Sequence, residues 1–223
     1  MTTYPVNAGA KDFDPVPAGS HIAVCDMKVD LGMQPGTGAF PKPKRKVYLR
    51  FQLLHERVEY EKDGKKFNSP RMIGKTYTAS MHEKANLRHD LESWRGRQFT
   101  DAEAGTFDVD TVLGKPCMLM VMQTKKEKGV YSDISGIGPL PKGIDPRTII
   151  PEGLPVLYTP DQTSTYQQLP EWLKKAIDNQ ILEEPATEDG QPEPEQPPAD
   201  AWDGYEPPSD RSDPGITDDD IPF

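Results

Sequence analysis

The 41 residues from Glu183 to Phe223 carry fourteen Asp and Glu against one basic residue, Arg211, and hold nine of the chain's 24 prolines. A segment of net charge −13 with so few apolar side chains cannot bury enough surface to offset the entropy of ordering, so residues 183–223 are expected to form a disordered acidic tail. The fold must then come from residues 1–182. That part is mildly basic, with 25 Lys and Arg against 22 acids, and its positive charge is concentrated: Lys42 to Arg97 holds fifteen basic and seven acidic residues. The overall charge of −10 therefore conceals a central stretch suited to phosphates.

Within that part the apolar residues alternate. Ala23, Cys25, Met27, Val29 and Leu31 mark a first strand with one buried face, and Val47, Leu49, Phe51 and Leu53 a second, both with the period of two that a half-buried strand requires. Asp63 and Gly64 read as a hairpin turn into a third strand near Ile73 to Met81. From Glu83 to Arg95 the spacing of Leu87, Leu91 and Trp94 predicts a helix that Gly96 stops. A fourth strand, Cys117 to Gln123, and a fifth, Val130 to Ile137, follow around a charged turn at Lys125 to Gly129. Residues 1–19 read as an extended arm. Residues 143–168 read as irregular, and Pro170 suits the first turn of a helix reaching Leu182 and packing back on the sheet.

Three strands, a helix and two strands is the order of the OB-fold, a five-stranded Greek-key β-barrel with a helix between strands 3 and 4. The expected organisation is thus mainly β: an arm over 1–19, an OB-fold over 20–142, an extension and helix over 143–182, and the tail over 183–223.

Binding of single strands without sequence preference needs cations along the backbone path and flat rings on which bases stack. Tyr48 and Arg50 alternate with Val47, Leu49 and Phe51, which places them outside a barrel those three residues fill. Lys75 and Tyr77 make a similar pair on the third strand, and Tyr131 on the fifth is a further ring. Between the first two strands a Gly- and Pro-rich loop carries Phe40, then Lys42, Lys44, Arg45 and Lys46, a basic clamp for phosphates. Lys65, Lys66 and Arg71 add cations around the hairpin.

The chain's last six residues, Asp218, Asp219, Asp220, Ile221, Pro222 and Phe223, combine three carboxylates with a ring and a C-terminal carboxylate, the groups of a docking peptide. This tip resembles the acidic C-terminal tip of bacterial single-stranded DNA-binding proteins, which recruits replication and repair enzymes. Together with the strand order, the basic centre and the segment from Leu113, Gly114 and Lys115 to Pro139, Leu140 and Pro141, it is similar to phage-encoded single-stranded DNA-binding proteins. The resemblance implies single-stranded DNA and tip-binding replication or repair proteins as partners, in the cytoplasm of a bacterial host. It departs from the bacterial proteins in the long loop after the first strand, the extension after the barrel and a tail without a Gly- and Gln-rich linker, so their homotetramer is not implied. The competing reading is an interaction protein whose tip imitates the host tail to capture its partners.

Enzyme signatures fail. Gly74, Lys75 and Thr76 imitate the end of a phosphate-binding loop, but Ser69 stands where its first glycine belongs. His82 and Glu83 begin like a zinc-protease helix, but Asn86 replaces the second histidine. Asp108 and Asp110 are carboxylates able to bind magnesium, without a motif around them. The reading is therefore a non-catalytic protein without cofactor or metal. Cys25 and Cys117 sit in apolar strands and read as reduced, buried thiols. No apolar run has the length of a membrane span, and Met1 to Asp14 lacks the features of a secretion signal, which predicts a cytoplasmic protein.

Overall fold

The computed structural model of the chain describes residues 14–181, apart from 37, 39, 40, 63 and 128. Six strands, β1 Gly19–Gln34, β2 Lys44–Lys62, β3 Lys65–Thr78, β4 Pro116–Lys126, β5 Gly129–Gly138 and β6 Val156–Tyr158, combine with three short helices, α1 Asn86–Arg95, α2 Asp101–Thr106 and α3 Glu171–Asp178. The hydrogen-bonded order is β3-β2-β1-β4-β5, antiparallel throughout, with β6 added in parallel to β1. The sheet is a strongly curled half-barrel. Its edge strands β3 and β5 come within 8 Å, Cα to Cα, with no ladder between them among the described residues.

The curl comes from β1, whose first residues, Gly19 to Val24, pair with β4 and whose residues from Ala23 onward pair with β2. A bulge between Cys25 and Met27 inserts one residue and so exchanges the faces. Before it, Ala23 and Cys25 point into the core inside the curl; after it, Met27, Val29 and Leu31 point into a second core outside. The five residues that alternate in the sequence therefore do not share one core. The other phase of β1 is buried too: Asp26 and Lys28 are both enclosed, by Arg50 and by Asp110 respectively.

The inner core gathers Val47, Leu49, Phe51 and Leu53 of β2, Ile73 and Tyr77 of β3, Leu119 and Val121 of β4 and Leu87, Leu91 and Trp94 of α1. Helix α1 begins at Asn86, three residues later than the spacing predicts, with Ala85 extended as its N-cap. Its end is where expected: Gly96 takes the left-handed conformation, φ 72°, and its N–H bonds the helix's last carbonyls, a geometry that favours glycine. The next helix, α2, went unread in the sequence although Thr100 and Glu103 form a capping box at its start.

The outer core exists because residues 143–181 fold back over the sheet. Tyr158, Leu169, Leu173 and Ile177 close over Met27, Val29, Leu31 and Tyr48, and each fully buried Leu or Ile there contributes about 1.5–3 kcal/mol. The α3 packing follows expectation, with a shorter helix; the strand β6 lies in a stretch expected to be irregular. Cys25 and Cys117 are buried and unbonded to each other. Among the described residues no helix is long and apolar enough to cross a membrane.

Candidate nucleic-acid interface

Where β2 begins, β3 ends and the loop into α1 leaves the sheet, the surface sinks into a groove of about 580 Å³. Five lysines line it: Lys42 from the loop before β2, Lys44 and Lys46 from the start of β2, Lys75 from β3 and Lys84 from the loop before α1. Thr76, Thr78, Ser80 and His82 complete the wall, and no carboxylate belongs to the described lining. Ammonium groups supply charge and hydroxyls supply hydrogen bonds, the pairing that phosphate oxygens accept. Lys46 Nζ donates to Thr78 Oγ1 at 2.9 Å, a bond that ties β2 to its directly opposed partner on β3 and fixes the ammonium at the groove wall.

Lys75 and Tyr77 meet at one carboxylate. Lys75 Nζ and the Tyr77 hydroxyl donate to Asp90 Oδ2 of α1 at 2.7 and 2.8 Å, and the ammonium also lies 5.1 Å from the Tyr77 ring centre. Burial, together with the Asp90 charge, pushes the Tyr77 phenol far above its ordinary range. Tyr77 is only 3% exposed, so it is core and not a stacking platform. The register explains this, because Lys75 and Tyr77 oppose Leu49 and Val47 across the ladder and share their inward face. The sequence phase of β3 is inverted relative to the expectation.

For β2 the phase is as expected, but the outward face is covered. Tyr48 is 9% exposed, its ring edge-on to Trp172 of α3 with centroids 5.0 Å apart and planes at 89°. On its other side it lies against Gly74, where an added Cβ would come 2.1 Å from the Tyr48 hydroxyl; only glycine lets the ring lie there. Burial pushes the Tyr48 phenol up to about 12. Arg50 is likewise enclosed, its Nε and Nη2 donating to the two oxygens of Asp26 at 3.1 and 2.7 Å, which makes it a structural ion pair in place of a phosphate contact. The helix that carries Trp172 was expected to pack back on the sheet, but the face it would cover was not legible, so neither burial was foreseen.

The remaining expected residues divide. Arg45 pairs with Asp30, with Nη2 to Oδ2 at 2.7 Å, beside the groove but not in its lining. Lys65 and Lys66 are exposed at the β2–β3 hairpin, while Arg71 donates to the carbonyl of Asp14. Tyr131 is 42% exposed on the β4–β5 hairpin, with Lys126 Nζ 5.2 Å from its ring centre, a platform of the expected kind away from the groove. Phe40 and the tip Asp218 to Phe223 lie outside the described residues, as does the rest of the tail. Among groove residues the sequence reading missed Lys84, His82, Thr78 and Ser80, because their convergence depends on how the loop into α1 turns.

The carboxylates weighed as a magnesium site are engaged otherwise. Asp108 accepts from the Asp110 backbone N–H at 2.9 Å, and Asp110 pairs with Lys28 at 2.5 Å. Among the described residues no group of three or more His, Cys, Asp or Glu is placed to hold a metal ion. Comparison with protein-family models, curated proteins and solved structures finds no match.

Proposed function

We propose that this chain binds single-stranded DNA without strong sequence preference through an OB-fold, protects it during DNA replication, recombination or repair, and recruits partner enzymes through Asp218 to Phe223. The fold reading is supported by the order β3-β2-β1-β4-β5, by a first strand shared between two neighbours and by helices between β3 and β4. The observation that carries the binding reading is the groove: Lys42, Lys44, Lys46 and Lys84 with the hydroxyls of Thr76, Thr78 and Ser80 and no carboxylate in its described lining, a fifth lysine, Lys75, being paired with Asp90 behind it. A nonspecific site for a flexible polyanion needs this distribution, whereas a protein surface of mixed charge does not concentrate one sign in a concavity.

The recruitment reading rests on the sequence of the tip and on its resemblance to the tips of bacterial single-stranded DNA-binding proteins. The resemblance to phage-encoded single-stranded DNA-binding proteins supports a site of action in the cytoplasm of a bacterial host. A titration of fluorescent oligo-dT with the full chain at low salt tests the binding reading. Saturable binding is expected; its absence would leave the rival, an interaction protein that imitates a host tail, as the better account. Deleting Asp218 to Phe223 is expected to abolish capture of tip-binding enzymes and to leave most DNA affinity intact, since eleven of the fourteen tail carboxylates remain.

A further inference from the structure

The groove supplies cations, but Tyr77, the aromatic in its described lining, is buried. Stacking surfaces must be sought elsewhere, and one stands on the β2–β3 hairpin. Tyr60 and Phe67 are direct cross-strand partners, symmetric about the turn at Asp63 and Gly64. Their rings stack nearly parallel, centroids 5.3 Å apart and planes 12° apart. Neither ring belongs to the inner or the outer core, whose β2 members end at Leu53 and whose β3 members begin at Ile73. Both are half-buried, so each keeps part of its surface open.

The hairpin is offset from the half-barrel and firmly held. The ladder shifts register between Leu53 and Arg57, which separates the hairpin from the barrel part of the sheet. At its base Arg57 donates to the Asn68 side chain and carbonyl, both at 2.6 Å, and pairs with the carboxylate of Glu152. A pair of aromatics across a ladder stabilises a hairpin, and that role alone would suit any two apolar residues. What it does not require is a lysine on the same face as the rings. Register puts the exposed Lys65 on the face that carries Tyr60 and Phe67, while Glu59, Glu61 and Lys66 fall on the opposite face with Lys66 directly across from Glu61, and these three side chains all line the cleft at the rings.

We infer that Tyr60 and Phe67 form a base-stacking platform for single-stranded nucleic acid, with Lys65, on their face, holding the adjoining phosphate. This rests on the proposed function and extends it with a second contact region. Tyr60 lies fourteen residues beyond Lys46 on β2, up to about 46 Å along a strand. A short oligonucleotide can fill the groove without reaching the platform, whereas a long one engages both. A flat ring accepts any base face, so the platform adds affinity and site size without adding sequence preference.

The test uses the full chain and oligo-dT of increasing length, in two parts. Oligo-dT carrying 5-iodouracil, photo-crosslinked to the unmutated protein, is expected to give adducts on the tryptic peptides 58–62 and 67–71. A Tyr60→Thr/Phe67→Thr variant, which keeps strand propensity, is expected to lose at least about fivefold in affinity for long oligonucleotides, the low end for one base stack, and nothing for those that only fill the groove. Saturable wild-type binding with adducts confined to groove peptides, and equal affinity of the variant at every length, would overturn the platform and leave the proposed function standing. No saturable binding by the wild type would overturn both.

Discussion

Gln52 grips the backbone of Glu152 from both sides: the Glu152 N–H donates to Gln52 Oε1 at 2.8 Å, and Gln52 Nε2 donates back to the Glu152 carbonyl at 3.1 Å. One side chain on the outer face of β2 thus satisfies both backbone polar groups of a residue in the covering segment, while also donating to Asp26 Oδ2 at 3.0 Å. Gln52→Leu leaves those buried groups without partners and should destabilise the chain by about 1–3 kcal/mol. Limited proteolysis followed by mass spectrometry should show faster cleavage within residues 143–170 than in the wild type. Cleavage at the wild-type rate would mean that the segment is held without this contact.

Tyr48 separates a packing role from a binding role. Tyr48→Ala should cost about 3–5 kcal/mol, the range for deleting a buried ring, measured by chemical denaturation, whereas Tyr48→Phe should cost under about 1 kcal/mol. In either variant that remains folded, affinity for oligo-dT should be unchanged. A selective loss of affinity with intact stability would return Tyr48 to the binding surface.

The same residue sets an alkaline limit. Its phenol is raised from 10.0 to about 12 by burial, so above pH 10 the unfolded chain ionises first. The contribution is intact below pH 10 and is lost as pH rises towards about 12, roughly 2–3 kcal/mol in all. Other buried tyrosines, Tyr77 among them, add to the same trend. Denaturation curves between pH 8 and 12 should therefore fall more steeply for the wild type than for Tyr48→Phe, and identical profiles would contradict the assignment.

Salt should report the number of lysines at work. Single-stranded binding weakens with a slope of about −0.7 per phosphate contacted, and Lys75 is held by Asp90, so the other four groove lysines set a slope of about −2.8 in log affinity against log salt. Lys84→Ala should make the slope shallower by about 0.7. A slope near zero would remove the phosphates from the groove.

The tail and the groove carry opposite charge on one chain. Tethering keeps the −13 segment at high effective concentration, so truncation after Leu182 should tighten DNA binding at low salt, with the gain shrinking as salt screens the attraction. Equal affinity with and without the tail at every salt concentration would discard the competition.

Much of the sheet was legible because alternation in β2 is strict, because β4 is a short apolar run from Cys117 to Met122, and because Gly64 and Gly96 punctuate the chain where the backbone needs them. The exchange of faces in β1 was not, since a single bulged residue at Asp26 leaves the apolar alternation unbroken while turning it to a second core. β3 misled for a related reason: Lys75 and Tyr77 resemble an exposed pair until α1 brings Asp90 to receive both. The largest gap was the cover over Tyr48 and Arg50. Residues 143–168 show no periodicity, and their fit depends on side chains such as Gln52 that pair with distant backbone. Tyr60 and Phe67, by contrast, could have been found, since they stand at equal distances from a turn that was already recognised.

The central claim, that the lysine groove binds single-stranded DNA, is tested most directly by charge reversal at Lys42 and Lys84, both exposed in the groove wall. Fluorescence anisotropy with a labelled oligo-dT at low salt should show at least a tenfold loss of affinity, roughly, for Lys42→Glu/Lys84→Glu against the wild type, with an unchanged unfolding midpoint. Wild-type affinity in that folded variant would contradict the account.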